Sequence, residues 1–256
     1  MFDETRVSNN IEIIRKIKNN EVLTALDAKT YSGWGGMRDA IFTPSIYKQL
    51  KELLSDEEIG SIKATTSNAY YTPKYIAQFV WKILTQKLGF YGGDILEPAA
   101  GIGVFLDTIP SSLNRCNIDS IEIDMLIATI LRHKHHNINI VCAGFEKIYF
   151  GNKKYDLIIS NPPYGKAKLF DESQKDLKHL YIHHYFLAKS ARLLKDNGII
   201  AMVLPSFVLD NNTQHARDII AESGVNLILA YRLPDDLFNG ATVTVDSPSC
   251  RLICRY

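Results

Sequence analysis

The sequence has few of the features that mark secreted, membrane-spanning or zinc-binding proteins. Only 4 of its 256 residues are cysteines, and none of them forms a Cys-x-x-Cys pair, so we expect reduced thiols rather than a disulfide framework. No apolar run approaches the ~18–20 residues that a membrane-spanning helix needs, and the polar start lacks the apolar core of a signal peptide. These absences predict a cytoplasmic protein with no membrane partner.

The charges are nearly balanced, which neither supports nor excludes binding to nucleic acid. The 29 lysines and arginines against 28 aspartates and glutamates give a net charge of +1, so any basic face must be local. Hydrophobic residues make up 46% and charged residues 22% of the chain, which is typical of a folded domain with a covered core. The clustered histidines lie in helical patterns without matching carboxylates or cysteines, so we expect no metal site; they are His133, His135, His136, His183 and His184.

From residue 94 onward, short apolar runs alternate with longer helical patterns. Strands that are each followed by a helix indicate a mainly parallel sheet covered on both faces, which is an α/β fold. The predicted strands are Asp94–Glu97, 118–123, 138–142, Tyr155–Ser160, 198–204 and 226–232, and the clearest helices are 124–133, 180–194 and 213–222. Asn197 and Gly198 are interpreted as the stop signal of the second of these helices. Sheets of this kind bind ligands at the carboxyl ends of their strands.

The first 66 residues have a different pattern. Residues 11–26 and 45–54 have apolar positions at helical spacing, and a glycine-rich turn around Trp34 separates them. We interpret this turn as a structural packing feature, with a mobile contact loop as the alternative. We therefore expect a helical N-terminal extension over residues 1–66 and an α/β domain over residues 67–256.

A loop of small residues, 97–106, follows the first predicted strand and leads into a helix N-terminus, where the backbone can approach a ligand closely. A dinucleotide-binding fingerprint would need a third glycine at Leu106, so the loop fits a cofactor without pyrophosphate better. Glu122 ends the second strand, where a carboxylate can accept both hydroxyls of an adenosine ribose. Phe145 follows the third strand, where its ring could stack on adenine. From these residues alone, a structural turn and a core phenylalanine stay open as alternatives.

The tetrapeptide Asn161-Pro162-Pro163-Tyr164 follows the predicted strand Tyr155–Ser160. The two prolines fix φ and cannot continue a sheet ladder, so they hold Asn161 and Tyr164 rigidly at the sheet's edge. The Asn161 side-chain oxygen and the Pro162 carbonyl can accept the two N–H groups of a planar amine, which frees its lone pair to attack a sulfonium methyl. Tyr164 offers a face on which an extruded base can stack. Such a direct displacement needs positioning and polar contacts, without a nucleophilic cysteine; the alternative is a proline-rich turn.

With these motifs in place, the chain resembles the N6-adenine DNA methyltransferases in which the cofactor motif precedes the catalytic motif. Tyr71-Thr72-Pro73 is similar to their upstream motif, which contacts the methionine end of the cofactor. The resemblance implies a Rossmann-like S-adenosylmethionine-dependent methyltransferase fold, with a seven-stranded sheet whose antiparallel last strand spans 249–256. It also implies S-adenosylmethionine as the cofactor and a flipped adenine in DNA as the substrate. The cofactor-binding residues that match are Tyr71, Thr72, Pro73, Glu97, Pro98, Ala99, Gly101, Gly103, Glu122, Phe145 and Asn161, and the catalytic residues are Asn161, Pro162, Pro163 and Tyr164.

One position departs from the pattern of that family. The family commonly has an aspartate before the phenylalanine that follows the third strand, where it touches the adenine amino group of the cofactor. Here that position is Gly144. The departure implies that a backbone group or Glu146 makes this contact.

A narrower resemblance covers nearly the whole chain. Five short motifs are similar to the methylase portion of large phage- and plasmid-borne methylase-helicase proteins, which are associated with mobile elements and protection from restriction. The motifs lie at 31–36, 144–146, 184–186, 232–234 and 241–243. The resemblance implies a mobile-element and restriction-modification setting.

No segment of the sequence is recognisable as a target-recognition domain. Many adenine methyltransferases of this motif order have a recognition domain after the catalytic domain, and this sequence ends at Tyr256, where the sheet is expected to be complete. We expect low specificity, a separate specificity subunit, a missing C-terminal recognition or helicase region, or a contribution from residues 1–66. Lys166 and Lys168 are candidate phosphate contacts beside the catalytic loop, with ordinary exposed lysines as the alternative.

Two other functions stay open. The same loop serves a methyltransferase that acts on a protein glutamine amide or an RNA amino group, because each acceptor nitrogen is planar and conjugated. A non-catalytic subunit that binds DNA or cofactor is the second alternative, and the presence of both Asn161 and Tyr164 argues against it. The upstream motif Tyr71-Thr72-Pro73 and the glycine-rich turn favour DNA.

Overall fold

The computed structural model of the protein describes residues 4–34, 43–66, 71–113, 115–205, 208, 218–219, 221–233 and 250–254. Several predictions fall outside these residues: the motif at 241–243, residues 35–36 of the glycine-rich turn, residue 234, most of the predicted helix 213–222, and residues 249, 255 and 256. No helix in the described part of the chain has the length and apolar character needed to cross a membrane.

A seven-stranded sheet forms the centre of the fold. In chain order its strands are β1 (Asp94–Glu97), β2 (Asn117–Glu122), β3 (Asn139–Cys142), β4 (Tyr155–Ser160), β5 (Leu194–Pro205), β6 (Leu229–Arg232) and β7 (Cys250–Cys254). Their spatial order is β3-β2-β1-β4-β5-β7-β6. Pairing is parallel from β3 through β5, and β7 is antiparallel to both β5 and β6. The predicted Rossmann-like α/β class and the antiparallel last strand are confirmed.

Alternate residues of the central strand β4 enter two different apolar cores. Leu157 and Ile159 pack in the core that contains helix α5 (Lys74–Lys82), whereas Ile158 packs in the core of α8 (Ile182–Arg192) on the opposite face. All three side chains are buried. Helices on both faces explain why this strand is continuously apolar in the sequence.

Three of the helices that precede β1 share a core with the helix that follows β2. They are α1 (Glu4–Lys18), α3 (Pro44–Leu53) and α4 (Asp56–Thr66), and the helix after β2 is α7 (Met125–Lys134). The short helix α2 (Ala25–Thr30) lies next to α7. Ile14 and Trp34 belong to the same buried cluster as Leu126 and Leu131. The division into residues 1–66 and 67–256 stays a prediction, and the N-terminal helices are packed against the sheet domain rather than separated from it.

The predicted helix 11–26 is wrong in its boundaries. Helix α1 begins at Glu4 and ends at Lys18, and Asn20 adopts a left-handed φ of 54° that interrupts the helical backbone. A new helix then starts after Thr24, whose side chain accepts a 3.1 Å hydrogen bond from the backbone of Asp27, while the Asp27 carboxylate accepts one of 2.9 Å from the Thr24 backbone. This reciprocal cap stabilises a second helix start that the apolar spacing does not show.

The predicted stop of the eighth helix at Asn197 and Gly198 is also wrong. Helix α8 ends at Arg192, and both residues lie within β5, which begins at Leu194. Asn197 has a left-handed φ of 62°, close to a register shift between β4 and β5. A β-carbon at position 198 would lie 3.0 Å from the carbonyl oxygen of Tyr155. The pair therefore accommodates an irregular strand rather than a helix end.

Candidate active site

Loops at the carboxyl ends of the first four strands surround a cavity of about 250 Å³. Strands β1 and β4 are neighbours in the sheet although two strands separate them in the chain, and this reversal of strand order opens a crevice between their loops. The predicted residues that line the cavity are Tyr71, Thr72, Glu97, Pro98, Ala99, Gly101, Glu122, Phe145, Asn161 and Pro163. The predicted residues Pro73, Gly103, Pro162 and Tyr164 are direct chain neighbours of lining residues.

Two glycines shape the loop after β1. Gly101 has φ of 52° and Gly103 has φ of 80°, a left-handed conformation that glycine adopts at little cost. Gly103 begins the short helix α6 (Val104–Asp107), and a β-carbon there would lie 2.5 Å from a methyl group of Leu131. Gly103 is thus required by the turn and by its packing against α7, and its cofactor role stays a prediction.

Glu122 joins the end of β2 to the loop after β1. Its Oε2 accepts a 2.7 Å hydrogen bond from the Gly101 amide, and its Oε1 accepts a 2.8 Å bond from the Asp124 amide. Burial, together with the charge of Asp124, raises the pKa of Glu122 to about 7 although the amide donors act in the opposite direction. A carboxylate can accept about four hydrogen bonds, so capacity toward the cavity remains.

Glu97 is a second buried carboxyl group on the cavity wall. It is 1% exposed, and its Oε2 has no hydrogen-bond partner among the described residues. Burial and the nearby charge of Glu122 raise the pKa of Glu97 well above its usual range. The raised pKa favours the protonated acid, which can donate as well as accept, and a buried polar atom without a partner is costly, so the site favours a ligand with a polar group at this point.

Tyr71 forms the side of the cavity that faces the N-terminal helices. Its ring carbons approach within 3.1 Å of where a β-carbon at Gly101 would lie. Its hydroxyl accepts a 3.3 Å hydrogen bond from the backbone of Trp34, and the neighbouring Thr72 is buried. The upstream motif and the glycine-rich turn, separate in the sequence, therefore meet at one wall of the cavity.

Phe145 and Glu146 line the cavity next to Gly144, after β3. The Glu146 carboxylate lies where a side chain at position 144 would begin. Phe145 is both a lining residue and a core residue, because its ring also packs against Phe186 at a centroid separation of 5.0 Å.

Lys189 of α8 contacts the backbone of the Phe145 segment. Its position in the sequence does not indicate this role. Its ammonium donates to the carbonyls of Phe145 at 2.8 Å and Ile148 at 3.0 Å, and to Asp171 at 2.6 Å. The nitrogen also lies 4.7 Å from the ring centroid of Phe145. Burial opposes ionisation of Asp171, and hydrogen bonds from Lys189, Ser173 and Tyr185 outweigh it, so the pKa of Asp171 is about 2.

Asn161 reaches the cavity from the end of β4. The Tyr164 hydroxyl lies within hydrogen-bond distance of Asn161 Oδ1 and, at 3.0 Å, of the Val203 carbonyl, so it can donate to either. The Tyr164 ring packs against the apolar core that contains Val203. The tetrapeptide is thus joined to β5, and Lys166 and Lys168 follow it as exposed side chains.

Sequence reasoning missed most of the apolar lining. These residues carry the same signal as core positions, and only the fold distinguishes them: Ile102, Val104, Phe105, Ile123, Ile127, Leu169, Ile182 and Phe186. Ala100, Ala143, Gly144 and Glu146 also line the cavity, in the loops after β1 and β3. Within the described residues, no group of three or more histidine, cysteine, aspartate or glutamate side chains is arranged to hold a metal ion.

Several known proteins are similar to this chain. Defense against restriction protein B of Escherichia phage P1 is 26% identical over 199 residues, covering 73% of this chain and 8% of that protein. The type II methyltransferase M.AccI of Acinetobacter calcoaceticus is 33% identical over 174 residues, covering 61% and 32%. The tRNA1(Val) (adenine(37)-N6)-methyltransferase of Aeromonas salmonicida is 32% identical over 130 residues, covering 45% and 53%. The chain thus spans about half or less of each of these relatives.

Solved structures share the fold over almost the whole chain. A class I S-adenosylmethionine-dependent methyltransferase from Listeria monocytogenes superimposes with a TM-score of 0.58 at 14% identity, covering 99% of this chain and 88% of that one. A type I restriction-modification methyltransferase subunit from Streptococcus thermophilus has a TM-score of 0.57 at 16% identity, covering 95% and 64%. At these identities the likeness establishes the fold alone.

The family is established by sequence. Residues 111–238, which are half of the chain, match the family described as Eco57I restriction-modification methylase. The matched range contains Glu122, the Phe145 segment and the tetrapeptide that begins at Asn161. With the methyltransferase fold and these cavity residues together, the chain belongs to the Eco57I restriction-modification methylase family.

Proposed function

We propose that the chain transfers the methyl group of S-adenosylmethionine to the N6 amino group of adenine in DNA, with the base rotated out of the duplex. The observation that carries the proposal is that Asn161 and the buried acids Glu97 and Glu122 face one cavity, at the point where β1 and β4 are neighbours. An acceptor group for a planar amine and polar groups suited to an adenosine cofactor are therefore within one site.

The residues present fit S-adenosylmethionine. Glu122 retains acceptor capacity for ribose hydroxyls, and the unpartnered Oε2 of Glu97 favours a polar group of the ligand beside it. Phe145 and Glu146 line the part of the cavity that follows β3. The Phe145 ring suits an adenine ring, and the Glu146 carboxylate suits its amino group. When bound, the cofactor supplies a sulfonium methyl group to the acceptor.

Asn161 and Pro162 hold the acceptor amine. The Asn161 side-chain oxygen and the Pro162 carbonyl accept its two N–H groups, which localises the nitrogen lone pair for attack on the methyl carbon. A hydrogen bond from Tyr164 orients the Asn161 oxygen, and an amide oxygen can accept two hydrogen bonds. The positive charge that develops on the amine strengthens both contacts in the transition state.

Different relatives support the two parts of the proposal, DNA as the substrate and N6 of adenine as the acceptor. M.AccI is named as a type II methyltransferase and the Streptococcus structure as a restriction-modification methyltransferase subunit. The Aeromonas relative is named as an adenine-N6 methyltransferase that acts on tRNA. RNA is accordingly the second candidate substrate. The chain spans only part of these relatives. We propose that a further region or a partner subunit supplies sequence specificity. We also propose that the chain acts in a mobile-element or restriction-modification setting.

Transfer of tritium from labelled cofactor separates these substrates. We expect incorporation into unmethylated plasmid DNA and none into bulk tRNA or a glutamine-containing release factor. Asn161→Ala should reduce incorporation by roughly 10²- to 10³-fold or more, while calorimetry still detects cofactor binding. Label in RNA or protein but not DNA contradicts the proposal. Equal DNA labelling by wild type and Asn161→Ala contradicts the assigned role of the tetrapeptide.

A further inference from the structure

Two exposed aromatic residues each adjoin a residue that lines the cavity, on the segment between the tetrapeptide and α8. Leu169 and Ile182 both line the cavity, and their chain neighbours Phe170 and Tyr181 are 53% and 40% exposed. The Ile182 amide donates a 2.8 Å hydrogen bond to the Ala167 carbonyl, so the two ends of the segment lie side by side. Both rings are therefore presented to solvent at the edge of the cavity.

The same surface has unpaired positive charge. The acidic residues of this segment are each engaged in an ion pair: Asp171–Lys189 at 2.6 Å, Glu172–Lys175 at 3.4 Å and Asp176–Arg192 at 2.5 Å. The ion pairs found among the described residues include neither Lys166 nor Lys168, and both are exposed. The Lys168 ammonium lies 6.0 Å from the ring centroid of Tyr181. Basic and aromatic side chains thus occur on the same segment, a combination that suits nucleic acid.

A buried anchor fixes the position of Phe170. The adjacent Asp171 is 2% exposed, and it accepts hydrogen bonds from Lys189 and from the hydroxyls of Ser173 at 2.6 Å and Tyr185 at 2.7 Å. With Leu169 directed into the cavity and Asp171 buried, the residue between them is held outward. The exposed ring is thus supported by a rigid backbone, which limits the entropy lost when it binds a partner.

We propose that Phe170 and Tyr181 stack on unpaired DNA bases next to the target adenine, while Lys166 and Lys168 contact the neighbouring phosphates. The inference rests on the proposed function, because a base that leaves the duplex also leaves its neighbours unstacked. Stacking on an aromatic ring is tolerant of sequence. The surface therefore holds the strand beside the cavity without choosing the site that is methylated.

Fluorescence anisotropy with a labelled single-stranded DNA of about 20 nucleotides tests this surface. Phe170→Ala and Tyr181→Ala should each weaken binding by roughly 5- to 150-fold, the range measured for loss of one base–aromatic stack. Tyr91→Ala is the matched control, since Tyr91 is 86% exposed and precedes the amino end of β1, whereas the cavity lies at the carboxyl ends of the strands. It should leave DNA affinity unchanged, and all three variants should keep wild-type cofactor affinity by calorimetry.

The salt dependence of DNA affinity tests the phosphate contacts proposed for the two lysines. Lys166→Gln and Lys168→Gln should each reduce the slope of log affinity against log salt by about 0.7, as expected for one lost phosphate contact to a single strand. An unchanged slope in both variants overturns the phosphate assignment.

The outcomes also separate this inference from the proposed function. If the wild-type chain methylates DNA, and Phe170→Ala/Tyr181→Ala binds single-stranded DNA with wild-type affinity, the surface assignment is wrong and the proposed function stands. If Tyr91→Ala weakens binding as much as the other variants, the surface assignment is also wrong. If the wild-type chain neither binds nor methylates DNA, both proposals are overturned.

Discussion

The backbone amide of Gly101 donates a 2.7 Å hydrogen bond to Oε2 of Glu122, which joins the loop after β1 to the end of β2. The same carboxylate receives the Asp124 amide on its other oxygen. One acidic side chain therefore organises two loops of the cavity and faces the place proposed for the ribose. Cofactor binding at this site is therefore expected to depend on the protonation state of that carboxylate.

Replacing Glu122 by alanine should weaken S-adenosylmethionine binding by about 1.5–3 kcal/mol, which is the scale of a hydrogen bond to a charged group. The reason is the loss of the ribose acceptor together with the tie to Gly101. Isothermal titration calorimetry measures the change directly. Glu57→Ala, an exposed glutamate in α4, is the control and should bind as wild type. An unchanged affinity in Glu122→Ala would remove Glu122 from the cofactor site.

Cofactor affinity should depend on pH near neutrality. The pKa of Glu122 is about 7 without ligand, so below pH 7 the carboxyl is mostly protonated and must lose its proton to accept both ribose hydroxyls. Affinity should therefore rise by up to about tenfold per pH unit below 7 and level off above it. The ratio of wild-type to Glu122→Gln affinities, measured from pH 5.5 to about 8.5, isolates this group. A ratio that is flat or falls with rising pH contradicts the assignment.

Glu146 is expected to replace the aspartate that related enzymes have at position 144. Glu146→Ala should weaken cofactor binding by about 1.5–3 kcal/mol, because the contact to the adenine amino group is lost. Gly144 has φ of −70°, which any residue adopts, and its side-chain space is filled by the Glu146 carboxylate. Gly144→Asp should therefore be disruptive in the wild-type chain and should restore affinity in the Glu146→Ala background. Failure of the double variant to recover any affinity counts against the exchange of roles.

Lys189→Met should destabilise the protein by about 3–5 kcal/mol, since it leaves the buried Asp171 carboxylate without its cation. Urea unfolding followed by circular dichroism measures this. The control is Lys178→Met, an exposed lysine in the segment that precedes α8, which should change stability by less than about 0.5 kcal/mol. Adding Asp171→Asn to Lys189→Met should recover part of the loss. Equal effects of the two lysine variants would show that the buried pair has no special role.

The sequence predicted the sheet and its loops well because their signals are local. Strands β1 and β4 have the predicted boundaries, since each is an apolar run that ends at a glycine- or proline-marked loop. The helix boundaries near Asn20 and Asn197 were wrong because both residues adopt left-handed φ values that suit a break or an irregular strand equally. A single sequence does not distinguish these uses of asparagine.

The site was predictable where chemistry demands particular residues and not where it needs only apolar surface. Asn161 and Glu122 stood out by residue type and position, and the structure brings both to one cavity. Ile127 and Leu169 line the same cavity but resemble core residues in the sequence. Lys189 is buried because its partner Asp171 lies in a segment that folds back over α8, a relation that spacing within the helix does not reveal.

Mass spectrometry of nucleosides from methylated DNA identifies the base, and the nitrogen on it, that receives the methyl group. DNA incubated with the chain and a cofactor bearing a deuterated methyl group is digested to nucleosides, and each methylated species is quantified. We expect the label in N6-methyldeoxyadenosine, with the rate reduced roughly 10²- to 10³-fold or more in Asn161→Ala. Label in N4-methyldeoxycytidine instead, or labelled adenine at an equal rate in wild type and Asn161→Ala, would contradict this expectation.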